Sequence, residues 1–82
     1  MEKKEIHERL NKIFQDVFND NSIVVDDNTS SNDIEGWDSL MHISLINAIQ
    51  NEFNVKFSMA ETISAINVES LILLISERLN EK

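Results

Sequence analysis

Apolar residues in this chain recur at helical spacing, and that pattern narrows the fold before any motif is considered. Ile6, Leu10, Ile13, Phe14 and Val17 stand three and four apart, on one face of a helix expected over about residues 2–18. Asn19-Asp20-Asn21-Ser22 should end it. In a second helix over about residues 39–53, Leu40, Ile43, Ile46, Ile49 and Phe53 are expected near the core face, with Leu45 and Ala48 beside them and Asn54 as the stop. Ser58-Met59-Ala60-Glu61 has the S-x-x-E form of a capping box, which predicts a short third helix from Met59 to Ser64 or Ala65. Asn67 is placed to cap a fourth, whose Val68, Leu71, Ile72, Ile75 and Leu79 form an apolar stripe. No segment alternates convincingly as a strand would. The expected fold is all-α, a small antiparallel four-helix bundle with a long first loop and a short third helix, in a single domain over residues 1–82.

Size and composition restrict the chemistry. A chain of 82 residues buries only about 60% of its unfolded surface, which leaves little room for a deep catalytic cavity. A scaffold that borrows its chemistry is easier to build at this size than an enzyme. There is no cysteine, so a disulfide framework and a thiolate metal site are both excluded. Any thiol the protein uses must arrive on a cofactor. No apolar run reaches signal or membrane-spanning length, and the expectation is a cytoplasmic monomer without membrane insertion.

The net charge of −8 is unevenly placed. Residues 1–18 balance Lys3, Lys4, Arg9 and Lys12 against Glu2, Glu5, Glu8 and Asp16, whereas residues 19–38 hold Asp20, Asp26, Asp27, Asp33, Glu35 and Asp38 with no base. Nucleic acid is not an expected partner, because a phosphate backbone calls for clustered Lys and Arg. The acidic stretch favours solubility and would steer basic surfaces toward its end. A loop this long is either functional or a misassigned element. Ile23, Val24, Val25 and Ile34 are expected to anchor it over the helices, with room for a short helical turn.

The loop ends in Gly36-Trp37-Asp38-Ser39-Leu40. Gly36, the only glycine, is placed for a turn that needs a positive φ or close backbone approach. Trp37 is expected to shield the junction, and Asp38 or Ser39 to cap the helix that follows by accepting from an orphan N–H. The same geometry suits a phosphate, since a serine in the first turn sits among unpaired N–H groups at the positive end of the helix dipole. Ser39 is therefore the candidate functional residue, as an attachment point and not as a nucleophile.

Asp38-Ser39-Leu40, with Gly36 two positions before the aspartate and Glu52-Phe53 closing the same helix, resembles the acyl carrier proteins. The likeness covers nearly the whole chain, in the order helix, long loop, motif helix, short helix and last helix. It implies a 4′-phosphopantetheine arm, derived from coenzyme A and joined to Ser39 through a phosphodiester, whose thiol carries an acyl or aminoacyl group as a thioester. The implied protein is a non-catalytic carrier. Its implied partners are a phosphopantetheinyl transferase, an acyl ligase or acyltransferase, and downstream biosynthetic enzymes. Asp38 would orient the transferase or cap the helix, and Leu40 would mix packing with contact to the arm. Trp37, Met41, His42, Met59 and Ile63 are the expected partner-contacting residues. Housekeeping fatty-acid carriers place several acids on the second helix, whereas this one shows Met41, His42, Ser44, Asn47, Gln50 and Asn51 before its single acid, Glu52. That departure implies a specialised pathway.

Competing readings are weaker. Ser39 and His42 are three apart and offer a nucleophile with a base, but no strand-turn-helix elbow or candidate oxyanion hole accompanies them. Asp26-Asp27-Asn28-Thr29-Ser30 alternates oxygen ligands, yet an EF-hand counted from Asp26 would need glycine where Ser31 stands and glutamate where Trp37 stands. Asn28-Thr29-Ser30 matches a glycosylation sequon, which has no meaning without a secretory signal. His7 and His42 lack sulfur partners for a metal site. Two alternatives remain: a peptidyl or aminoacyl carrier protein, which shares every feature except the cargo, and a cofactor-free acidic helical interaction module, which would tolerate alanine at Ser39.

Overall fold

The computed structural model describes residues 1–80 and contains four helices, α1 (Lys3–Val17), α2 (Ser39–Phe53), α3 (Met59–Ser64) and α4 (Val68–Asn80). This is the small helical bundle expected from the apolar spacing. Among the described residues there is no strand, only one isolated bridge between Ser30 and Asn67. Five of the boundaries have a local cause, the ends of α1 and α2 and the starts of α2, α3 and α4. Asn19 and Asn54 take positive φ at the ends of α1 and α2, 51° and 55°, a conformation asparagine tolerates better than most residues. Asp38 accepts from the Met41 amide at 2.9 Å to start α2, Ser58 and Glu61 complete the capping box of α3, and Asn67 accepts from the Ser70 amide at 2.8 Å to start α4.

The core is built from Ile6, Leu10, Ile13 and Phe14 of α1, Leu45, Ile46, Ile49 and Phe53 of α2, and Val68, Leu71, Ile72 and Ile75 of α4. Val25, Trp37, Val55 and Ala65 join it from the connections, while α3 contributes no buried residue. The expected core face of α2 needs correction, because Leu40 and Ile43 are 73% and 56% exposed. A step of three residues falls about 60° short of a full helical turn, so the series Leu40, Ile43, Ile46, Ile49 winds through about 180° and its first members face away from its last. The buried face instead follows Leu45, Ile46, Ile49 and Phe53, with half-buried His42 one turn before Leu45 and Ile46.

The long connection is ordered by short polar turns and a few anchors, without a helical turn. The Val25 amide donates to Asn11 at 2.6 Å and Gln15 donates to the Ile23 carbonyl at 2.9 Å, which fixes the loop on α1. Ser31 donates to the Ile66 carbonyl at 3.0 Å and Val68 to the Thr29 carbonyl at 2.9 Å, which ties it to the start of α4. Val24 is not an anchor, being 79% exposed beside a Val25 that is 1% exposed; along extended backbone successive side chains face opposite sides.

Substitutions on α2 read this face directly. Ile49→Ala should lower the free energy of unfolding by about 2–5 kcal/mol, whereas Leu40→Ala should change it by no more than about 0.5 kcal/mol, both measured by urea titration.

Candidate functional site

Ser39 is the first residue of α2 and is exposed, presented by the segment that turns the chain into the helix. Gly36 takes φ 89°, and a Cβ added there would meet nothing within 4 Å, so the glycine is required by backbone conformation and not by space. Trp37 then turns inward. It is 7% exposed, with its ring edge-on to Phe14 at 5.2 Å between centroids and tilted against Phe18 at 6.4 Å. Asp38 points the other way and caps α2. Its carboxylate and the dipole of α2 attract one another, and the Ser39 hydroxyl is left at the surface between the capped end and the helix face.

Beside Ser39 lies an open groove of about 500 Å³, lined by Trp37, Asp38, Ile43, Met59, Thr62 and Ile63 among others. Met59 and Ile63 are 76% and 66% exposed and form the α3 wall, opposite Ile43 of α2. Six of the eight expected site residues, Trp37, Asp38, Ser39, His42, Met59 and Ile63, are thus brought together along one groove. Leu40 is exposed and does not line the groove, and Met41 is half-buried. Trp37, expected to contact partners, is corrected to a core residue, since its indole is covered by Phe14, Phe18 and His42.

His42 does not serve Ser39 as a base. Its ring stacks on Trp37 at 5.9 Å, its Nδ1 lies 3.0 Å from Trp37 Nε1 and its Nε2 lies 2.8 Å from the Thr62 carbonyl. Indole nitrogen only donates, so Nδ1 accepts and Nε2 donates. Both ring nitrogens are engaged away from the serine. This link between loop, α2 and α3 was not anticipated from sequence, where His42 stood as an expected partner-contacting residue three positions from Ser39.

The acids around the site are mostly occupied by local structure. Asp20 accepts from the Ser22 hydroxyl and amide, which holds its carboxyl below the ordinary range. Asp26 accepts from the Asn28 amide and Asp33 from that of Ser30. Lys3 bonds Asp27 at 2.8 Å, and that hydrogen bond raises the lysine. Asp38 belongs to the cap. On α2 the single acid, Glu52, pairs with Arg9 of α1 at 3.2 Å. No group of acids or histidines suited to a metal ion occurs among the described residues, and among them no helix is long and apolar enough to cross a membrane.

Glu61 supports the α3 wall. It accepts from the Ser58 amide, and then from Arg78, and these bonds lower its carboxyl below the ordinary 4.5. A lowered folded value means the contribution is complete above pH 4.5 and is lost as pH falls through the folded value. Acid titration followed at the Glu61 and Thr62 amides by NMR should therefore show α3 loosening in that range, and Glu61→Gln should remove that part of the acid response.

Comparison with known proteins agrees with the geometry. The family model of the phosphopantetheine attachment site matches residues 8–75. Among solved structures, the solution structure of holo acyl carrier protein from Geobacter metallireducens is similar, at 39% identity over 90% of this chain and 85% of that one, with a TM-score of 0.84. No curated protein gives a significant match.

Proposed function

Because this chain belongs to the acyl carrier protein family, whose prosthetic group is covalently bound phosphopantetheine, we propose that Ser39 is the residue that bears the arm. The observation that carries this reading is position: Ser39 is exposed at the head of α2, inside the matched region, and borders a groove with apolar walls. The residues suit the group. A phosphodiester on Ser39 would lie at the helix N-terminus, where backbone N–H groups and the dipole favour negative charge, and the arm would leave beside Ile43, Met59 and Ile63. When attached, the arm supplies a thiol that holds an acyl group as a thioester.

The chain itself contributes presentation. Carriers of this family are generally non-catalytic, and nothing in the proposed role asks for an acid, base or nucleophile from the protein. Asp38 fixes the start of α2 and so the direction of the Ser39 side chain. Tethering raises the local concentration of the cargo at whichever enzyme has docked. A carrier domain implies a phosphopantetheinyl transferase and acyl-processing enzymes as partners. The docking surface we assign is the exposed side of α2 with α3, through Leu40, Met41, Ile43, Met59 and Ile63.

We further propose a specialised pathway for an acyl or aminoacyl group. Support comes from the exposed side of α2, where Leu40, Ile43, Ser44, Asn47 and Asn51 offer apolar and hydrogen-bonding groups while Glu52 is paired with Arg9. Partners would read this surface with little help from long-range charge, and they would act on a carrier that works as a monomer in the cytoplasm.

Intact mass after incubation with coenzyme A and a broad-specificity phosphopantetheinyl transferase tests the attachment. One phosphopantetheinyl group should be gained by the parent chain and none by Ser39→Ala; gain by the variant would contradict the assignment. Binding to a cognate ligase should weaken by no more than about threefold as salt rises across the range that screens surface charge. A steep loss that maps to α2 would count against the specialised reading.

A further inference from the structure

The third helix poses a problem of support. It has six residues and buries none of them, far below the length of about 12–15 residues at which even a good isolated helix becomes marginal in water. Apolar packing reaches it only through its flanks, at half-buried Phe57 and buried Ala65. Polar contacts must supply the rest. From α4, Arg78 pairs with Glu61 and donates through Nε to the Lys56 carbonyl at 3.0 Å. From α2, His42 donates to the Thr62 carbonyl at 2.8 Å. That carbonyl is one of the acceptors a helix leaves open at its C-terminal end, because the Ile66 amide that another turn would direct to it goes to Ser64 at 3.0 Å.

We propose that His42 is a positioning residue for arm attachment. It joins Trp37, which lies two residues before Ser39, to the last turn of α3, and so holds the Met59 and Ile63 wall in fixed register with Ser39. The transferase reads that register when it docks. An indole that only donates and a carbonyl that only accepts require a side chain that does both, at the two ends of one rigid ring. Among the neutral side chains, glutamine supplies the same pair of functions with an amide.

The proposal rests on the Ser39 reading only where the transferase is used, so two measurements separate them. Amide hydrogen exchange by NMR on the apo chain reads α3 directly. His42→Ala should raise exchange of the α3 amides by about tenfold, the scale of one lost hydrogen bond, while Leu10 and Ile75 amides change by less than about twofold. His42→Gln should recover most of the protection. In the labelling reaction, KM for His42→Ala should rise about fivefold with kcat within about twofold of the parent, and His42→Gln should restore KM. Unchanged α3 exchange, an unchanged KM, or a glutamine variant no better than alanine would overturn the proposal. Equal loss of protection in α1 and α4 would also overturn it, by making His42 a support of the whole fold. Absence of labelling in the parent chain would instead overturn the attachment of the arm at Ser39, and α3 exchange would still decide whether His42 holds that helix.

Discussion

Burial of Trp37 is the contact on which the rest of the arrangement depends. The connection between α1 and α2 is polar and acidic along most of its length, and it has to be held against the bundle by the few apolar groups it contains. Trp37 is the largest of these, packed edge-on to Phe14 of α1, a geometry that suits aromatic quadrupoles and adds to the gain from area alone. Its position in the chain gives the burial a second effect. With Gly36 turning on one side and Asp38 capping on the other, an inward Trp37 sends the following residues outward, and Ser39 emerges at the surface at a fixed point. The polar end of the same indole is satisfied by His42, so the buried ring also sets the orientation of a side chain on α2.

Two kinds of support divide the molecule. α1, α2 and α4 are held by a continuous apolar core, which resists local opening because every unit buries surface against the others. α3 is held by a capping box and by ion-pair and hydrogen-bond contacts from α2 and α4. Individual polar contacts of this kind are modest in net worth, so α3 is the helix that opens at least cost. It is also the wall beside Ser39. The division leaves a stable scaffold that presents Ser39, the proposed attachment residue, and beside it a small element whose register depends on a few polar contacts.

Local chemistry was legible in the sequence and tertiary chemistry was not. Asp38, Asn54, the Ser58–Glu61 pair and Asn67 act where their types and spacing placed them, because caps are satisfied within a few residues of chain. Trp37 at the loop junction and the positive φ of Gly36 followed from the same short-range logic. The face of α2 was misjudged because five apolar residues at steps of three and four resemble a stripe, although steps of three drift around the helix; only the position of α1 and α4 decides which of them is covered. Val24 and Val25 were equivalent as residue types and differ by the alternation of extended backbone. The bond from His42 to Thr62 spans separate helices, so no local pattern could announce it. Ser39 is proposed from motif and position together, and neither the composition nor the helical spacing would have singled it out.

The most direct measurement of the central claim is fragmentation of the peptide spanning residues 13–56 from chain co-produced with a phosphopantetheinyl transferase, using a method that preserves the phosphodiester. The peptide holds Ser22, Ser30, Ser31, Ser39 and Ser44, so the assignment is decided within one molecule. The account predicts the added mass on Ser39 alone. Modification at Ser31 or Ser44, or on several serines together, would contradict it.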